Sequence, residues 1–264
     1  IYSKEVAVSK KFDYLVFIGR FQPFHKGHQL VVKRALASSE RVVILCGSSF
    51  RPRCFRNPWS FEERESMLRA CFSHADNQRI LISPLMDVLY NDEVWVGRVQ
   101  KKVKSIIQNI NPRHAEIDDL NIGLIGHEKD QSSYYLKLFP QWGSVSVENF
   151  QQINSTDIRD GLFYYKKEIN EFLEVLPAAV IDYIGQFKQS DGYAYMCAET
   201  LFIRQYQSAW SNAPYPPIFV TVDAVVVQSG HILLVRRKAR PGEGLLALPG
   251  GFVNVDETLK NACL

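Results

Sequence analysis

No stretch of this chain approaches the run of about 18 apolar residues that a membrane-crossing helix requires, so no membrane partner is expected. An excess of one charge is also missing: 31 Lys and Arg stand against 28 Asp and Glu, a formal net charge of +3. Nucleic-acid binders usually gather a clustered basic face, and with so weak a charge no nucleic-acid partner is expected. The five cysteines, Cys46, Cys54, Cys71, Cys197 and Cys263, form no CxxC pair and no regular framework. An odd, scattered set suits a reducing compartment better than a disulfide-stapled secreted domain. Residues 1–11 are mixed and charged, unlike the apolar core of a signal peptide, so a cytoplasmic location is expected. Internal repeats and low-complexity tracts are absent as well.

What remains is an ordinary globular composition, 46% apolar and 22% charged over 264 residues. That length allows one large domain or two average ones. Residues 12–18 form a short apolar run closed by Gly19, the pattern of a buried strand. Residues 41–46, closed by Gly47, and 121–125, closed by Gly126, repeat it, and 79–82 and the Val145/Val147 segment read as further strands. Helical spacing falls on 29–37, 93–108, 156–162 and 177–187, and Ser60-Phe61-Glu62-Glu63 is a capping box opening a helix to about Phe72. Strands alternating with helices predict an α/β fold with a doubly wound parallel sheet, Rossmann-like in layout. Ligands on such sheets lie at the carboxyl ends of the strands, where Gly19, Gly47 and Gly126 fall.

The pattern changes after about Lys188. Residues 199–210 read as a connecting helix, and the proline-rich 212–217 segment cannot continue it. Beyond it, 219–227 and 231–236 read as two strands joined by a turn at Ser229-Gly230. The expected organisation is a first domain over 1–187, a helix and linker over 188–216, and the start of a smaller α/β domain over 217–264.

The strongest chemical signal is Gly19-Arg20-Phe21-Gln22-Pro23-Phe24-His25-Lys26-Gly27-His28, between an expected strand and helix. Two imidazoles three residues apart at a helix start project to one side, beside free backbone N–H groups and the positive end of the helix dipole. That is an anion site. Gly19 permits close approach of backbone to a phosphate, and Gly27 leaves room between the rings. Arg20, Lys26, Arg51, Arg53 and Arg56 fall in loops expected at the same sheet edge, as a polyphosphate ligand would require, although Arg51 and Arg53 also fit solvated surface charge.

This segment resembles the HxGH signature of the nucleotidyltransferase superfamily, and in full it is similar to the archaeal-type nicotinamide-mononucleotide adenylyltransferases. Arg56-Asn57-Pro58-Trp59 resembles that family's Arg-x-Pro-aromatic loop. Asp92 and Trp95 fall where the family places its nicotinamide contacts. Gly126-His127-Glu128-Lys129-Asp130 resembles its phosphate and ribose loop, and the segment 153–159 resembles its second signature, Ser-x-Thr-x-x-Arg. Asn154 stands where serine is usual, while Ser155, Thr156 and Arg159 follow. The likeness spans residues 13–187.

The resemblance implies that a mononucleotide 5′-phosphate oxygen attacks the α-phosphorus of ATP and expels pyrophosphate. With the attacking oxygen already ionised, catalysis is positioning plus charge stabilisation. It implies His25 and His28 as donors to the phosphates, with His28 at the α-phosphate. Arg20 and Arg159 would neutralise the β- and γ-phosphates, and Arg56 would hold the mononucleotide phosphate. Gly19, Phe21, Gly27, Gly126, His127, Lys129, Asp130, Ser155 and Thr156 would complete the binding set. Trp95 would stack on the nicotinamide ring, where its π face meets a cationic heterocycle; its alternative is an ordinary core aromatic. Ser155 and Thr156 have an alternative as helix N-caps. Mg²⁺ would ride on ATP oxygens rather than in a carboxylate cage.

At the other end, Leu248-Pro249-Gly250-Gly251-Phe252-Val253-Asn254-Val255-Asp256-Glu257 resembles the opening of a Nudix box, with Gly251 and Glu257 at the matching spacing. The preceding apolar segments at 223–227 and 233–237 resemble its leading strands. The arrangement is similar to bifunctional proteins that join the adenylyltransferase to an ADP-ribose pyrophosphatase. Only the first part of the box lies in these residues, so its later glutamates, the Mg²⁺ or Mn²⁺ ligands of that family, are not among them. Gly250, Gly251 and Glu257 are the candidates here, and an ordinary Gly-rich turn is their alternative. The expected partners are small molecules: ATP, nicotinamide mononucleotide, NAD and ADP-ribose. Homo-oligomerisation stays open. Rival readings are an adenylyltransferase for pantetheine phosphate, a Nudix module that senses ADP-ribose or NAD without cleaving it, and a Nudix-bearing transcription regulator, whose helix-turn-helix is not visible.

Overall fold

The computed structural model describes residues 11–110, 119–127, 138–147 and 152–263. It divides into two compact units, Ile1–Ser190 and Asp191–Leu264.

The first unit is built on a five-stranded sheet of β1 (Phe12–Gly19), β2 (Ser39–Cys46), β3 (Ile80–Pro84), β4 (Ile122–His127) and β5 (Gly143–Val147), in the order β3-β2-β1-β4-β5. Every pairing in it is parallel, with Gly19 beside Cys46, Cys46 beside Pro84 and Gly126 beside Ser146. The chain runs outward from β1 through β2 to β3, then returns to β4 on the other side of β1. That reversal opens a crevice at the carboxyl edge between β1 and β4, where ligands bind on such sheets.

The central strands read as unbroken apolar runs because both faces are covered. Leu15, Val16, Val42, Val43, Ile44 and Leu45 have no exposed surface. One face carries α4 (Asp92–Ile110), whose Val99, Val103 and Ile107 recur every four residues and pack with Tyr14, Val16, Val43, Leu45 and Phe139. Each such side chain contributes about 1.5–3 kcal/mol by leaving water. The helix α1 (Lys26–Ser38) buries Val31, Val32, Ala35 and Leu36 and packs against β1, β2 and β4.

The shorter α2 (Phe61–Arg69) opens with the expected box: the Ser60 side chain accepts from the Glu63 N–H while the Glu63 carboxylate accepts from the Ser60 N–H. It ends at Arg69, earlier than the sequence pattern implies, and α3 (His74–Asn77) follows. The unit closes with α5 (Ser155–Phe163), a 3₁₀ turn at Ile169–Phe172 and α6 (Ala178–Phe187).

The second unit begins with α7 (Asp191–Ser208), which starts eight residues earlier than the helix expected over 199–210. The two strands expected over 219–236 are four short pieces, β6 (Thr221–Asp223), β7 (Val227–Gln228), β8 (His231–Ile232) and β9 (Val235–Arg236). β7 and β8 form an antiparallel hairpin through Ser229 and Gly230, both at positive φ, the geometry of a primed two-residue turn. β10 (Leu246–Ala247) pairs with β9, β11 (Gly250–Phe252) pairs with β6, and α8 (Leu259–Cys263) ends the unit. These ladders are short and their apolar residues, Val227 and Leu246 among them, are largely exposed. Little packing therefore holds the extended segments in register.

Candidate active site

The loop after β1 sets the centre of the site. Phe21 adopts φ of 52° and buries its ring, as does Phe24 beyond it. The helix α1 then starts at Lys26, three residues before its sequence pattern suggests, because His25 is its N-cap. The Nδ1 of His25 accepts the His28 N–H and the Nδ1 of His28 accepts the His25 N–H, each at 3.3 Å. This is a capping box made of two imidazoles, whose rings stack with centroids 3.5 Å apart. With both Nδ1 atoms accepting, the neutral rings carry their protons on Nε2. His28 is further framed by the rings of Phe21 and Phe24, at 5.0 and 5.7 Å.

A cavity of about 410 Å³ opens here, lined by Arg20, Gln22, His25 and His28 from the first signature and by Asn154, Ser155, Thr156 and Arg159 from the second. The two motifs, far apart in sequence, thus share one pocket at the carboxyl edge. Arg159 is 3% exposed and donates from one terminal nitrogen to the Gln22 carbonyl at 2.7 Å and from the other to the Thr156 hydroxyl at 3.0 Å. Its Nε–H is buried without a partner among the described residues. Burial and then Arg20 push this guanidinium down to about 10, with Asp160 opposing and Arg56 adding a smaller push. Arg20 and Arg56 therefore both act on Arg159, and among the described residues no carboxylate lines the cavity. An anion is what such a set lacks.

Asn154, not Ser155 or Thr156, caps α5: its side-chain oxygen accepts the Thr156 N–H at 2.9 Å. The capping alternative for the two hydroxyl residues is thereby corrected. They face the cavity instead, Ser155 also lying 3.5 Å from the Pro23 carbonyl.

Arg51 and Arg53 do not join this set. Arg51 pairs with Asp87 at 3.0 Å, and Arg53 pairs with Glu63 at 3.0 Å, donates to the Pro58 carbonyl and lies over the Phe187 ring. Lys26 donates to the Leu173 carbonyl. Arg56 is exposed in the loop that ends at the buried Trp59. That loop is tied to the first signature by Gln22, whose amide donates to the Trp59 carbonyl at 2.8 Å and accepts the Trp59 N–H at 3.1 Å.

Asp92 and Trp95 lie outside the cavity's lining. Asp92 is exposed at the start of α4, and Trp95 is half-buried against the core, its ring 5.9 Å from Phe139. Gly126 is buried within β4, and His127 ends that strand beside Val147. Lys129 and Asp130 lie outside the described residues. In the second unit, Gly250 and Gly251 pair with Asp223 and Val222. A Cβ on Gly250 would collide with the Val222 carbonyl oxygen, so glycine is required there. Glu257 accepts the Asn254 backbone N–H at 3.2 Å and its side-chain amide at 3.0 Å, closing a turn. Among the described residues no three His, Cys, Asp or Glu side chains converge as metal ligands, and no helix is long and apolar enough to cross a membrane.

Sequence reading missed Gln22, Asp87 and Arg64. Asp87 accepts from the backbone and hydroxyl of Ser48 as well as from Arg51. Each has partners dozens of residues away, and no local pattern announces them.

A nucleotide-handling class follows from a parallel sheet with a two-signature anion pocket at its switch point. Consistent with it, a cytidylyltransferase-like family model matches residues 16–160. A nicotinamide/nicotinic acid mononucleotide adenylyltransferase of Acinetobacter baylyi is 42% identical over 184 residues, which are 69% of this chain and 90% of that protein. A crystal structure from Francisella tularensis, a bifunctional NMN adenylyltransferase/ADP ribose pyrophosphatase complexed with AMP and a Mn ion, is 34% identical with a TM-score of 0.81. That likeness covers 96% of this chain and 71% of the other. A second structure of the Francisella protein gives a TM-score of 0.82 at 36% identity, covering 95% of this chain and 71% of that one. The chain belongs to the cytidylyltransferase-like nucleotidyltransferases, and within them to the mononucleotide adenylyltransferases.

Proposed function

We propose that the first unit transfers the adenylyl group of ATP to nicotinamide mononucleotide, releasing NAD and pyrophosphate. The observation that carries this is the cationic pocket in which the paired imidazoles meet Arg20 and the buried Arg159. An oxygen of the mononucleotide 5′-phosphate forms a bond to the α-phosphorus of ATP, the bond from that phosphorus to the β-phosphate bridge breaks, and pyrophosphate leaves with the electron pair. No proton need be removed from the attacking oxygen. The protein's part is to hold the two phosphates in line and to offset the charge that grows on the transferred group and the leaving group.

The Nε2–H groups of His25 and His28 donate to the phosphates, His28 at the α-phosphate. Arg20 and Arg159 take the β- and γ-phosphates, which give the orphaned Arg159 Nε–H a partner. Arg56 holds the mononucleotide phosphate, and Gly19, Phe21, Gly27, Ser155 and Thr156 shape the donor site. Asp92, Trp95, Gly126, His127, Lys129 and Asp130 belong to the acceptor and ribose side. Mg²⁺ accompanies ATP, and a lining without carboxylates among the described residues fits an ion held by phosphate oxygens.

The adenylyltransferase part occupies residues 1–187, residues 188–216 are the connecting segment, and 217–264 form the first part of a Nudix domain. The Francisella likeness, which runs through the second unit, supports ADP-ribose hydrolysis, with Mg²⁺ or Mn²⁺, as the activity of such a domain when whole. Gly250, Gly251 and Glu257 are its candidate residues here.

The test is an acceptor panel: nicotinamide mononucleotide, its deamidated form and pantetheine phosphate, each with Mg·ATP and pyrophosphate release as readout. Turnover of one or both pyridine mononucleotides is expected. Turnover of pantetheine phosphate alone would overturn the substrate while keeping the reaction class.

A further inference from the structure

Arg64 is a charged side chain with no exposed surface, on α2, outside every signature of the site. All its acceptors are neutral oxygens. Its Nε donates to the Ser60 carbonyl at 3.1 Å, one terminal nitrogen to the carbonyls of Arg20 and Gly47 at 2.6 and 2.7 Å, and the other to the Ser49 hydroxyl at 3.0 Å. Burying a guanidinium this deeply without a carboxylate is expensive. The expense is visible in its protonation, held below the usual range chiefly by burial, with Arg20 adding to it and Asp87 and Glu62 opposing. An apolar side chain would fill the same space at lower cost, so the charge and fork demand another explanation.

The places it grips supply one. Arg20 and Gly47 are the first residues after β1 and β2, and Arg20 lines the cavity. The Gly47 N–H donates to the Gly19 carbonyl at 2.8 Å, and the Arg20 side chain passes over Gly47, its Cγ 3.8 Å from where a Cβ would stand. Arg20 itself is exposed and long, and such a side chain keeps its direction only if its backbone is fixed. We infer that Arg64 is a positioning residue for adenylyl transfer: it touches no substrate, and its fork locks the carbonyls of Arg20 and Gly47 so that the Arg20 guanidinium points into the polyphosphate site. The neutral carbonyl partners matter here. A carboxylate in their place would cancel the positive potential of a pocket built for a tetra-anion, whereas carbonyls leave it standing.

The inference rests on the adenylyl-transfer reading and is tested separately from it. Arg64→Lys keeps the charge, but an ammonium is a point donor and cannot span the four oxygens that the guanidinium fork reaches. Steady-state kinetics of the full chain with Mg·ATP and nicotinamide mononucleotide, calorimetric Mg·ATP affinity and a double-mutant cycle with Arg20→Ala are the measurements. The expected result is a fall of at least about tenfold in kcat/KM for ATP, with weaker Mg·ATP binding and the mononucleotide KM within about twofold. Arg20→Ala combined with Arg64→Lys should lose little more than Arg20→Ala alone, since both act through one guanidinium. Ser49→Ala, which removes one acceptor and leaves the charge, should lose about two- to threefold by the same measure.

Unchanged kcat/KM and Mg·ATP affinity in Arg64→Lys, with only a lower melting temperature, would reduce Arg64 to a brace and overturn the inference. Equal damage to both substrates, or losses additive with Arg20→Ala, would do the same. Should Arg64→Lys fail to fold, wild-type behaviour of Ser49→Ala overturns it. A wild-type chain that makes no dinucleotide sinks the reading of the reaction instead, and Mg·ATP affinity across the variants then decides the role of Arg64.

Discussion

Replacing Gln22 with alanine removes the amide that joins the two halves of the site. Gln22 is 1% exposed, and its side chain satisfies both the N–H and the carbonyl of Trp59, itself 2% exposed. The substitution strands two buried backbone groups that have no other partner among the described residues. Each costs about 1–3 kcal/mol when left unsatisfied, so a loss of about 2–6 kcal/mol is expected. For a unit of this size that is a fall of roughly 4–24 °C in melting temperature. Gln22→Glu is the sharper probe: it keeps an oxygen for the Trp59 N–H but sets a carboxylate oxygen against the Trp59 carbonyl. Calorimetry on the full chain should rank the two variants with Gln22→Glu at least as unstable as Gln22→Ala. Because the same loop carries Arg56, both should also raise the mononucleotide KM. A loss below about 1 kcal/mol in both variants would refute the argument that these bonds hold the loop.

Gly19→Ala would place a Cβ 2.8 Å from the Phe21 ring, which packs on His28. A displaced imidazole should lower kcat about ten- to hundredfold, read by steady-state rates beside an unchanged circular dichroism spectrum. Burial pushes the Cys46 and Cys71 thiols up to about 12, so both stay protonated and inert near neutral pH. Mild alkylation with peptide mapping should label Cys54 and Cys263 in the native protein and reach Cys46 and Cys71 only after unfolding. Burial, then the Glu63 carboxylate, raises the Tyr183 phenol from 10.0 to about 12. A proton held more tightly in the folded state stabilises it fully below 10, and that stability is lost as pH rises through 12. Tyr183→Phe should therefore flatten the alkaline decline of stability between those values, measured by urea unfolding across pH.

The sheet was legible because its central strands are buried on both faces and read as plain apolar runs ending in glycine, as at Ile18-Gly19 and Cys46-Gly47. The Ser60–Glu63 box was legible because capping is a local bargain between neighbours. The start of α1 was not, because histidine is outside the usual capping residues, and only the mutual bond of His25 and His28 moves the boundary to Lys26. Whether a cation faces a ligand or a carboxylate is decided by tertiary contacts. Arg51 and Arg53 therefore looked like ligands to phosphate in the sequence, yet they pair with Asp87 and Glu63. Gln22 and Arg64 were invisible for the same reason, with partners 37 and 44 residues away. In the second unit the alternating pattern over 219–236 overstates strand length, since short, exposed ladders lack the packing that keeps a strand continuous.

The central claim is that the stacked His25–His28 pair and the two arginines form one catalytic pocket for adenylyl transfer. Its most direct test is the formation of NAD and pyrophosphate from nicotinamide mononucleotide and Mg·ATP, compared between this chain and His28→Ala at saturating substrates. The account predicts equimolar products from the former and a kcat at least about a hundredfold lower in the variant, the usual consequence of removing one transition-state donor. A variant that matches the unmodified chain would place the reacting phosphate elsewhere and contradict it.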